Sequence, residues 1–216
     1  HNLGLPAMLR GDFGAASRWL RRMLRDERGA PPMPRDTTAH LNIARCYLYR
    51  GDFAACERHL NQALECSQMF NLTALRGEIF ETTGNFYRES NDLARAAEFY
   101  ERAARAYEDA GADLTRHELL EEQAVLCLRA GDLATAQLRI EQLINARATA
   151  GNDPGVQTAS LVYARILLAQ GETEKANAML QVACTDFRKR GLHYYEAQAS
   201  MALAACALDR GKEGEM

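Results

Sequence analysis

Small and large hydrophobic residues recur along the chain at fixed distances from a two-residue polar marker. The marker, most often Gly-Asp, occurs every 40 residues, at 11–12, 51–52, 91–92, 131–132, 171–172 and 211–212. A small residue stands five positions after it (Ala16, Cys56, Ala96, Ala136, Ala176) and a large one nine positions after it (Leu20, Leu60, Tyr100, Ile140, Leu180). Seven positions before the marker small residues return at Ala44, Gly84, Ala124, Ala164 and Ala204. An internal repeat of this length predicts a stacked array of equal units.

The marker itself has the composition of a turn between two helices. Gly or Asn adopts the left-handed conformation that ends a helix, and the Asp beside it suits the start of the next one. The pattern therefore predicts first helices over 1–10, 37–50, 75–90, 115–130, 156–170 and 194–210, and second helices over 12–27, 52–70, 92–110, 132–150 and 172–190. The intervening linkers are 28–36, 111–115, 151–155 and 190–192, with Thr37, Thr115 and Thr158 as helix starts.

The same marker explains two copies of a tripeptide that cell-adhesion receptors bind. Arg-Gly-Asp-Phe occurs at 10–13 and again at 50–53. The third and fourth markers have the same place in the repeat but lack the Arg. We therefore interpret the tripeptide as part of a helix–turn–helix junction, not as an adhesion site.

Composition and charge describe an ordinary helical protein. The net charge is −3 and the pI about 6.0, which gives no reason to expect direct binding of nucleic acid or a membrane surface. The six cysteines form no Cys-x-x-Cys pair, which favours reduced, buried thiols and a cytoplasmic location. No stretch is apolar over the ~18 residues of a membrane span. The chain begins with His1 inside a predicted helix, which suggests a fragment of a longer protein.

The stretch LNIARCYLYRGDFAACERHLNQALE (41–65) resembles a tetratricopeptide repeat (TPR), and 82–111 matches as well. The positions that carry the resemblance are Ala44, Tyr47, Gly51-Asp52-Phe53, Cys56, Leu60 and Ala63, then Gly84, Tyr87, Ala96, Tyr100 and Ala103. The usual period of that family is about 34 residues. Repeats of 40 residues are similar to those of Leu-Gly-Asn-repeat scaffolds and of the sensor solenoids in maltose-activator-type bacterial transcription regulators.

The resemblance implies an all-α, right-handed superhelical solenoid of about five and a half helix hairpins. We expect one array over 1–211, with turns near 11, 51, 91, 131, 171 and 211, and a disordered tail at 212–216.

In that family the first helices line a concave groove, through the second, fifth, ninth and twelfth position of each repeat. Carrying these positions over predicts a partner-binding groove formed by Arg45, Leu48, Glu78, Glu81, Asn85, Arg88, Glu118, Glu121, Leu161 and Arg165. The four glutamates would make its middle acidic, with Glu81 and Glu121 facing solvent. The partner would then be a protein or peptide segment with basic residues and apolar anchors. The alternative is that the glutamates form an ordinary solvated helix face.

We find no arrangement of residues in the sequence that predicts catalysis or a cofactor. His117 and Glu121 stand one helical turn apart, but no third metal ligand accompanies them. Phosphate-binding loops, nucleophile motifs and dinucleotide turns are absent from the sequence. We therefore expect a non-catalytic protein- or peptide-binding array, serving as the regulatory or scaffold part of a larger bacterial regulator. The alternative is the small-molecule effector-sensing solenoid of a transcription activator.

Overall fold

The computed structural model describes residues 12–25 and 31–213, and this part of the chain is helical without a strand. Its ten helices are α1 Phe13–Arg25, α2 Pro34–Tyr49, α3 Phe53–Met69, α4 Thr73–Glu89, α5 Leu93–Asp109, α6 Asp113–Ala130, α7 Leu133–Thr149, α8 Asp153–Ala169, α9 Thr173–Arg190 and α10 His193–Glu213. Even-numbered helices are the predicted first helices and odd-numbered ones the second helices. None of the described helices is long and apolar enough to cross a membrane.

From α2 onward, consecutive helices are joined by a tight turn with one left-handed residue. These residues have φ between 52° and 81° and stand every 20 residues, at Gly51, Asn71, Asn91, Gly111, Gly131, Gly151, Gly171 and Gly191. The predicted turns at 51, 91, 131 and 171 are confirmed. The turns at 71, 111, 151 and 191 adopt the same backbone geometry, although their sequences differ from the Gly-Asp marker.

Second helices begin as the marker predicts. The Asp52, Asp92 and Asp132 carboxylates each accept a hydrogen bond, 3.1 Å long, from the backbone N–H three residues later. Such a cap satisfies an otherwise unpaired N–H at the helix start.

First helices begin earlier than predicted, because the chain resumes a helix almost at once after each left-handed residue. Asn152 caps α8 by accepting a hydrogen bond from Gly155 N–H at 3.0 Å. The predicted starts Thr37, Thr115 and Thr158 therefore lie inside helices.

The repeating small and large residues form the core, as predicted. All five small residues after the marker are 0% exposed and all five large ones at most 5%. Ala44, Gly84, Ala124 and Ala164 are likewise buried. Close contact between the helix backbones at these positions is what lets each hairpin pack.

The chain divides into two compact units, one up to Arg116 and one from His117 onward. Hairpins α2–α3 and α4–α5 lie in the first unit and α8–α9 in the second, where α10 packs on α8 and α9. A single array over 1–211 stays a prediction. The predicted helix over 1–10 and turn near 11 fall outside the described residues, as does most of the predicted tail. Helix α10 continues through Gly211, where a turn was expected.

Candidate functional site

In the first unit an ion pair joins two neighbouring first helices. Arg45 Nη2 of α2 lies 3.1 Å from Glu78 Oε2 of α4, and Arg45 Nε donates to Thr82 Oγ1 at 3.2 Å. The charged side chains keep 29% and 37% of their surface exposed, so the pair contributes at most about 1 kcal/mol to stability. Its main effect is to hold both side chains in fixed positions.

Two tyrosines of the second helix α5 extend onto α4 and bond two more predicted groove residues. The Tyr100 hydroxyl donates to Asn85 Oδ1 and the Tyr107 hydroxyl to Glu81 Oε2, each at 2.6 Å. Both tyrosines are only 1% exposed. Burial, and then the charge of Glu81, raise the pKa of Tyr107 well above its ordinary value. The hydroxyl therefore remains a hydrogen-bond donor at physiological pH.

Two glycines of α4 make room for these rings. A Cβ added at Gly84 would lie 2.6 Å from the Tyr100 ring, and one at Gly77 would lie 2.5 Å from the Tyr107 ring. The glycines are seven residues apart, as are the tyrosines, so each glycine faces one ring across the hairpin. This matched spacing is visible in the sequence and could have identified both contacts.

In the second unit one guanidinium binds both predicted glutamates of α6. Arg147 Nη2 of α7 contacts Glu118 Oε2 and lies 3.0 Å from Glu121 Oε2, while Arg147 Nε donates to Glu118 Oε1 at 3.2 Å. Its Nη1 donates to the Gly155 carbonyl at 2.8 Å and to Thr158 Oγ1 at 3.2 Å. Arg147 is 8% exposed. This one side chain therefore ties α6, α7 and α8 together.

In this cluster, burial and ion pairing shift the pKa values of Glu121 and Arg147 in opposite directions. Burial raises the pKa of Glu121, and the charge of Arg147 only partly offsets this. Burial lowers the pKa of Arg147, but its bonds to Glu118 and Glu121 outweigh that effect, so its pKa is raised. The arginine is therefore charged throughout the physiological range.

These contacts correct the expectation of an open acidic surface. Glu81 and Glu121 are half-buried rather than solvent-facing, and each accepts a hydrogen bond from a second helix. Glu78 and Glu118 are paired with arginines. The four glutamates are thus neither an unpaired acidic patch nor an ordinary solvated face, because each one is fixed by a neighbouring helix.

Tyr107 and Arg147 occupy the same position of consecutive repeats, since they are 40 residues apart. Each of these second-helix residues faces a first-helix residue that stands 26 positions earlier in the chain. The identities of the two residues change together from one repeat to the next. The facing pairs are Glu81–Tyr107, Glu121–Arg147 and Leu161–Phe187, the last of which lies in one hydrophobic cluster. Tyr107 and Arg147 are not among the predicted site residues, because they lie on second helices, outside the positions carried over from the family.

The other predicted groove residues differ in exposure. Leu161 is 8% exposed and belongs to the core of the second unit, so its assignment to an open groove is wrong. Leu48 is half-buried against the core of the first unit. The Arg88 side chain is 12% exposed, with its Nε 3.3 Å from Glu89 Oε1, whereas Arg165 is exposed on α8. That all ten residues line one groove remains a prediction, since they belong to both units.

Titratable groups do not gather into a metal site in the described part of the chain, where no three His, Cys, Asp or Glu are placed to hold an ion. A pair of imidazoles does meet inside hairpin α2–α3, with His40 Nδ1 and His59 Nδ1 2.9 Å apart. Burial, and then the neighbouring His40, lower the pKa of His59 to about 4. Sequence spacing does not indicate this pair, since the two residues stand on different helices.

Comparisons with known proteins agree with this architecture. BtubC (BKLC) from P. vanneervenii is similar in structure with a TM-score of 0.67 at 19% identity, over 87% of this chain and 78% of that one. The nearly identical TPR-like repeats assigned to a kinesin light chain of Podosopora anserina give 0.63 at 16% identity, over 88% and 94%, and a single-substitution variant of those repeats gives 0.65. At such identities the likeness shows the fold alone, an all-α repeat solenoid.

The sequence itself identifies the repeat. Residues 36–109, which span α2 to α5, match the tetratricopeptide repeat model. This part of the chain is therefore built of tetratricopeptide repeats. A search of curated protein sequences gave no match.

Proposed function

We propose that the chain is a non-catalytic array that binds a protein or peptide segment along its first helices. TPR arrays generally mediate protein–protein interaction, and stacked repeats provide extended binding surfaces. The observation that carries the proposal is the fixed support of the polar side chains there: Arg45, Glu81 and Glu121 are each bonded to another helix. Polar groups held in place before binding lose little entropy when a partner arrives.

The partner that we propose presents basic side chains together with apolar anchors. Glu118 and Glu78 keep 51% and 37% of their side-chain surface exposed despite their ion pairs. A carboxylate accepts several hydrogen bonds, so each can receive a further donor from a Lys or Arg of the partner. Because the bound arginines already neutralise part of this charge, the partner needs few basic residues at defined positions rather than a long basic run.

The chain would act as the regulatory or scaffold part of a larger bacterial regulator in the cytoplasm. An Ala- and Arg-rich composition supports a bacterial source, and the six free cysteines suit a reducing compartment. These inferences rest on composition and on the 40-residue period, and the identity of the neighbouring domains would test them.

The alternative, sensing of a small effector, has less support from the first unit. A cavity of about 100 Å³ lies between α3, α4 and α5 and is lined in part by Phe80, Phe99 and Arg102. The guanidinium carbon of Arg102 lies 4.3 Å from the centroid of the Phe80 ring and 4.6 Å from the centroid of the Phe99 ring. Small-molecule sites usually enclose about 300–1,000 Å³. This cavity suits one side chain of a partner better than a metabolite.

A selection from a random-peptide library, with the whole chain as bait, tests the proposal. Enriched peptides would be measured by fluorescence anisotropy against the natural chain and against Glu78→Gln and Glu118→Gln. We expect each substitution to weaken binding about tenfold, the loss of one charge-assisted hydrogen bond. Glu108→Gln, at an exposed position of the second helix α5, is the matched control and should leave binding unchanged.

The proposal fails if no peptide is enriched, or if both variants bind as the natural chain does while circular dichroism shows that they are folded. A metabolite that raises the melting temperature, in the absence of any enriched peptide, would support the sensing alternative.

A further inference from the structure

The cavity between α3, α4 and α5 lies on a different side of α4 from the predicted groove. Its wall on this helix includes Phe80, Thr83 and Tyr87, which follow one another at intervals of three and four residues and therefore share one side. Glu81 and Asn85 of the predicted groove project from the far side, since a helix turns by 100° per residue. A partner in this cavity would therefore occupy a surface of its own.

The cavity exists because Thr83 is small. The other repeats have a larger residue at this position, namely Ile43, Gln123, Tyr163 and Leu203. Ile43 is 0% exposed. The Tyr163 hydroxyl reaches the preceding second helix and donates to Glu141 Oε1 at 2.6 Å, and Glu141 has the place in the repeat that Asn61 has at the cavity wall. The Thr83 hydroxyl instead donates to the Ile79 carbonyl of its own helix at 2.7 Å, so the space beside it stays open.

The size and lining of the cavity define the side chain that it can take. Its volume is about 100 Å³, and its floor includes the buried residues Leu60, Ile79 and Phe86. An apolar cavity of about 150 Å³ holds a benzene ring, so this one suits an aliphatic side chain of about four carbons. Glu57 and Asn61, which also line it, are exposed, so a side chain can enter from solvent between α3 and α5.

Arg102 places a positive charge at the edge of this apolar space. Its guanidinium lies over the Phe80 and Phe99 rings, an arrangement that attracts a cation to the ring faces and holds it there. Among the described residues no carboxylate pairs with it, although Glu98 stands one turn earlier on α5 and Glu57 lines the same cavity. The charge is therefore held in position and can accept an anionic partner.

Neither neighbouring repeat combines the charge with the open space. One repeat earlier, Gln62 stands at the position of the arginine and Ile43 at that of the threonine. One repeat later these positions hold Gln142 and Gln123, and Gln123 Oε1 accepts a hydrogen bond from Arg139 Nη1 at 2.7 Å. The combination thus belongs to hairpin α4–α5 and is not a general feature of the repeat.

We propose that this cavity binds a peptide segment of a partner protein in which an aliphatic residue stands next to a single aspartate or glutamate. The aliphatic side chain fills the space left by Thr83, and the carboxylate forms a bidentate ion pair with Arg102. Glu57 on the opposite wall repels a second acidic residue, which fixes the direction of the peptide. This contact does not depend on the basic partner that we propose for the first helices.

A display library of 12-residue peptides, random except for a central aliphatic–acidic pair, tests the proposal. The library is selected on the natural chain and, in parallel, on Thr83→Ile, which fills the cavity with the residue of the preceding repeat. We expect peptides that are enriched only on the natural chain. Their affinity, measured by fluorescence anisotropy, should fall at least about tenfold for Arg102→Gln. Arg105→Gln is the matched control, since Arg105 is exposed on the same helix and pairs with Glu101 away from the cavity. It should leave binding unchanged.

Changes in the peptide test the two halves of the motif separately. Replacing the aliphatic residue by alanine, or the acidic residue by lysine, should each weaken binding about tenfold. The proposal is overturned if no peptide distinguishes the natural chain from Thr83→Ile, or if Arg102→Gln binds as tightly while circular dichroism shows it folded. Glu78→Gln and Glu118→Gln, which test the first-helix proposal, should bind these peptides normally. A loss of binding in either variant would assign the peptides to the groove and overturn the present proposal alone.

Discussion

Replacing Arg147 with Phe should destabilise the second unit more than any exposed ion pair could. The substitution removes the guanidinium from Glu118 and Glu121 and introduces the residue that stands one repeat later, Phe187. The Arg147 side chain is 9% exposed and that of Glu121 32%. Removing one partner of a buried pair typically costs about 3–5 kcal/mol. We expect about 3 kcal/mol, at the lower end of that range, since Glu118 is half-exposed and regains water.

A second substitution should restore most of this loss. Glu121→Leu combined with Arg147→Phe recreates the apolar combination of the next repeat, where Leu161 and Phe187 belong to the same hydrophobic cluster. Glu121→Leu alone should cost only about 1 kcal/mol, because Arg147 keeps its bonds to Glu118 and α8. The double variant should therefore recover more than half of the loss, and the three variants form a double-mutant cycle.

Thermal unfolding followed by circular dichroism provides the measurement. For a chain of this size about 1 kcal/mol shifts the melting temperature by roughly 2–4 °C, so Arg147→Phe should lower it by roughly 6–12 °C. Without the arginine, burial raises the pKa of Glu121 unopposed, so the folded state takes up a proton more readily than the unfolded one. The loss should therefore be smaller at pH 5 than at pH 7. A loss below about 1 kcal/mol, or a double variant no more stable than Arg147→Phe, would refute the reasoning.

Three further outcomes follow from buried groups in the first unit. Gly84→Ala places a Cβ 2.6 Å from the Tyr100 ring and should lower the free energy of unfolding by roughly 1–3 kcal/mol; an unchanged urea midpoint would show that the ring moves aside. Cys56 is 0% exposed, and burial, followed by nearby carboxylates, raises its pKa to about 12. It should therefore react with a thiol reagent only after unfolding, and rapid labelling of the native chain would contradict this. The pKa of His59 is lowered from 6.5 to about 4, so between these values the unfolded chain binds a proton that the folded one does not. Stability should fall by roughly 1–2 kcal/mol as the pH drops through that window, allowing for solvent at the half-buried ring. The drop should be smaller in His59→Phe, where His40, whose pKa burial also lowers, still contributes. An equal pH dependence in both proteins would count against the assignment.

The repeat register could be predicted from the sequence because it rests on backbone requirements. A left-handed residue favours Gly or Asn whatever surrounds it, and a helix start favours Asp, so residues 51–52, 91–92 and 131–132 carry a signal of their own. The turns at Asn71, Gly111, Gly151 and Gly191 lack the Asp, so the marker does not reveal them. Composition favours the threonines as helix starts, although each lies a few residues beyond the actual start of its helix.

The polar contacts of the candidate site could not be predicted in the same way. Glu81 and Glu121 have the same place in the repeat, so the sequence predicts the same solvent-facing environment for both. What each one bonds depends on a second-helix residue 26 positions later, tyrosine in one repeat and arginine in the next. The position of a residue in the repeat predicts which side of the helix its side chain projects from. The hydrogen-bond partner of that side chain depends on how the two helices of the hairpin pack. Once it is known which positions face each other, the sequence shows that the pair changes from Glu–Tyr to Glu–Arg to Leu–Phe in successive repeats.

The evenly spaced left-handed turns have a consequence for how the gene can change in length. Helices and turns repeat every 20 residues from Gly51 to Gly191, but the helices alternate between two kinds that bury different faces. Loss of 20 codons between two turns would leave good turn geometry and yet place a second helix where a first one belongs, with its core residues facing the wrong neighbours. Loss or duplication of 40 codons would preserve both the turns and the alternation. Viable insertions and deletions in this chain should therefore come as whole hairpins, whichever turn the break falls in.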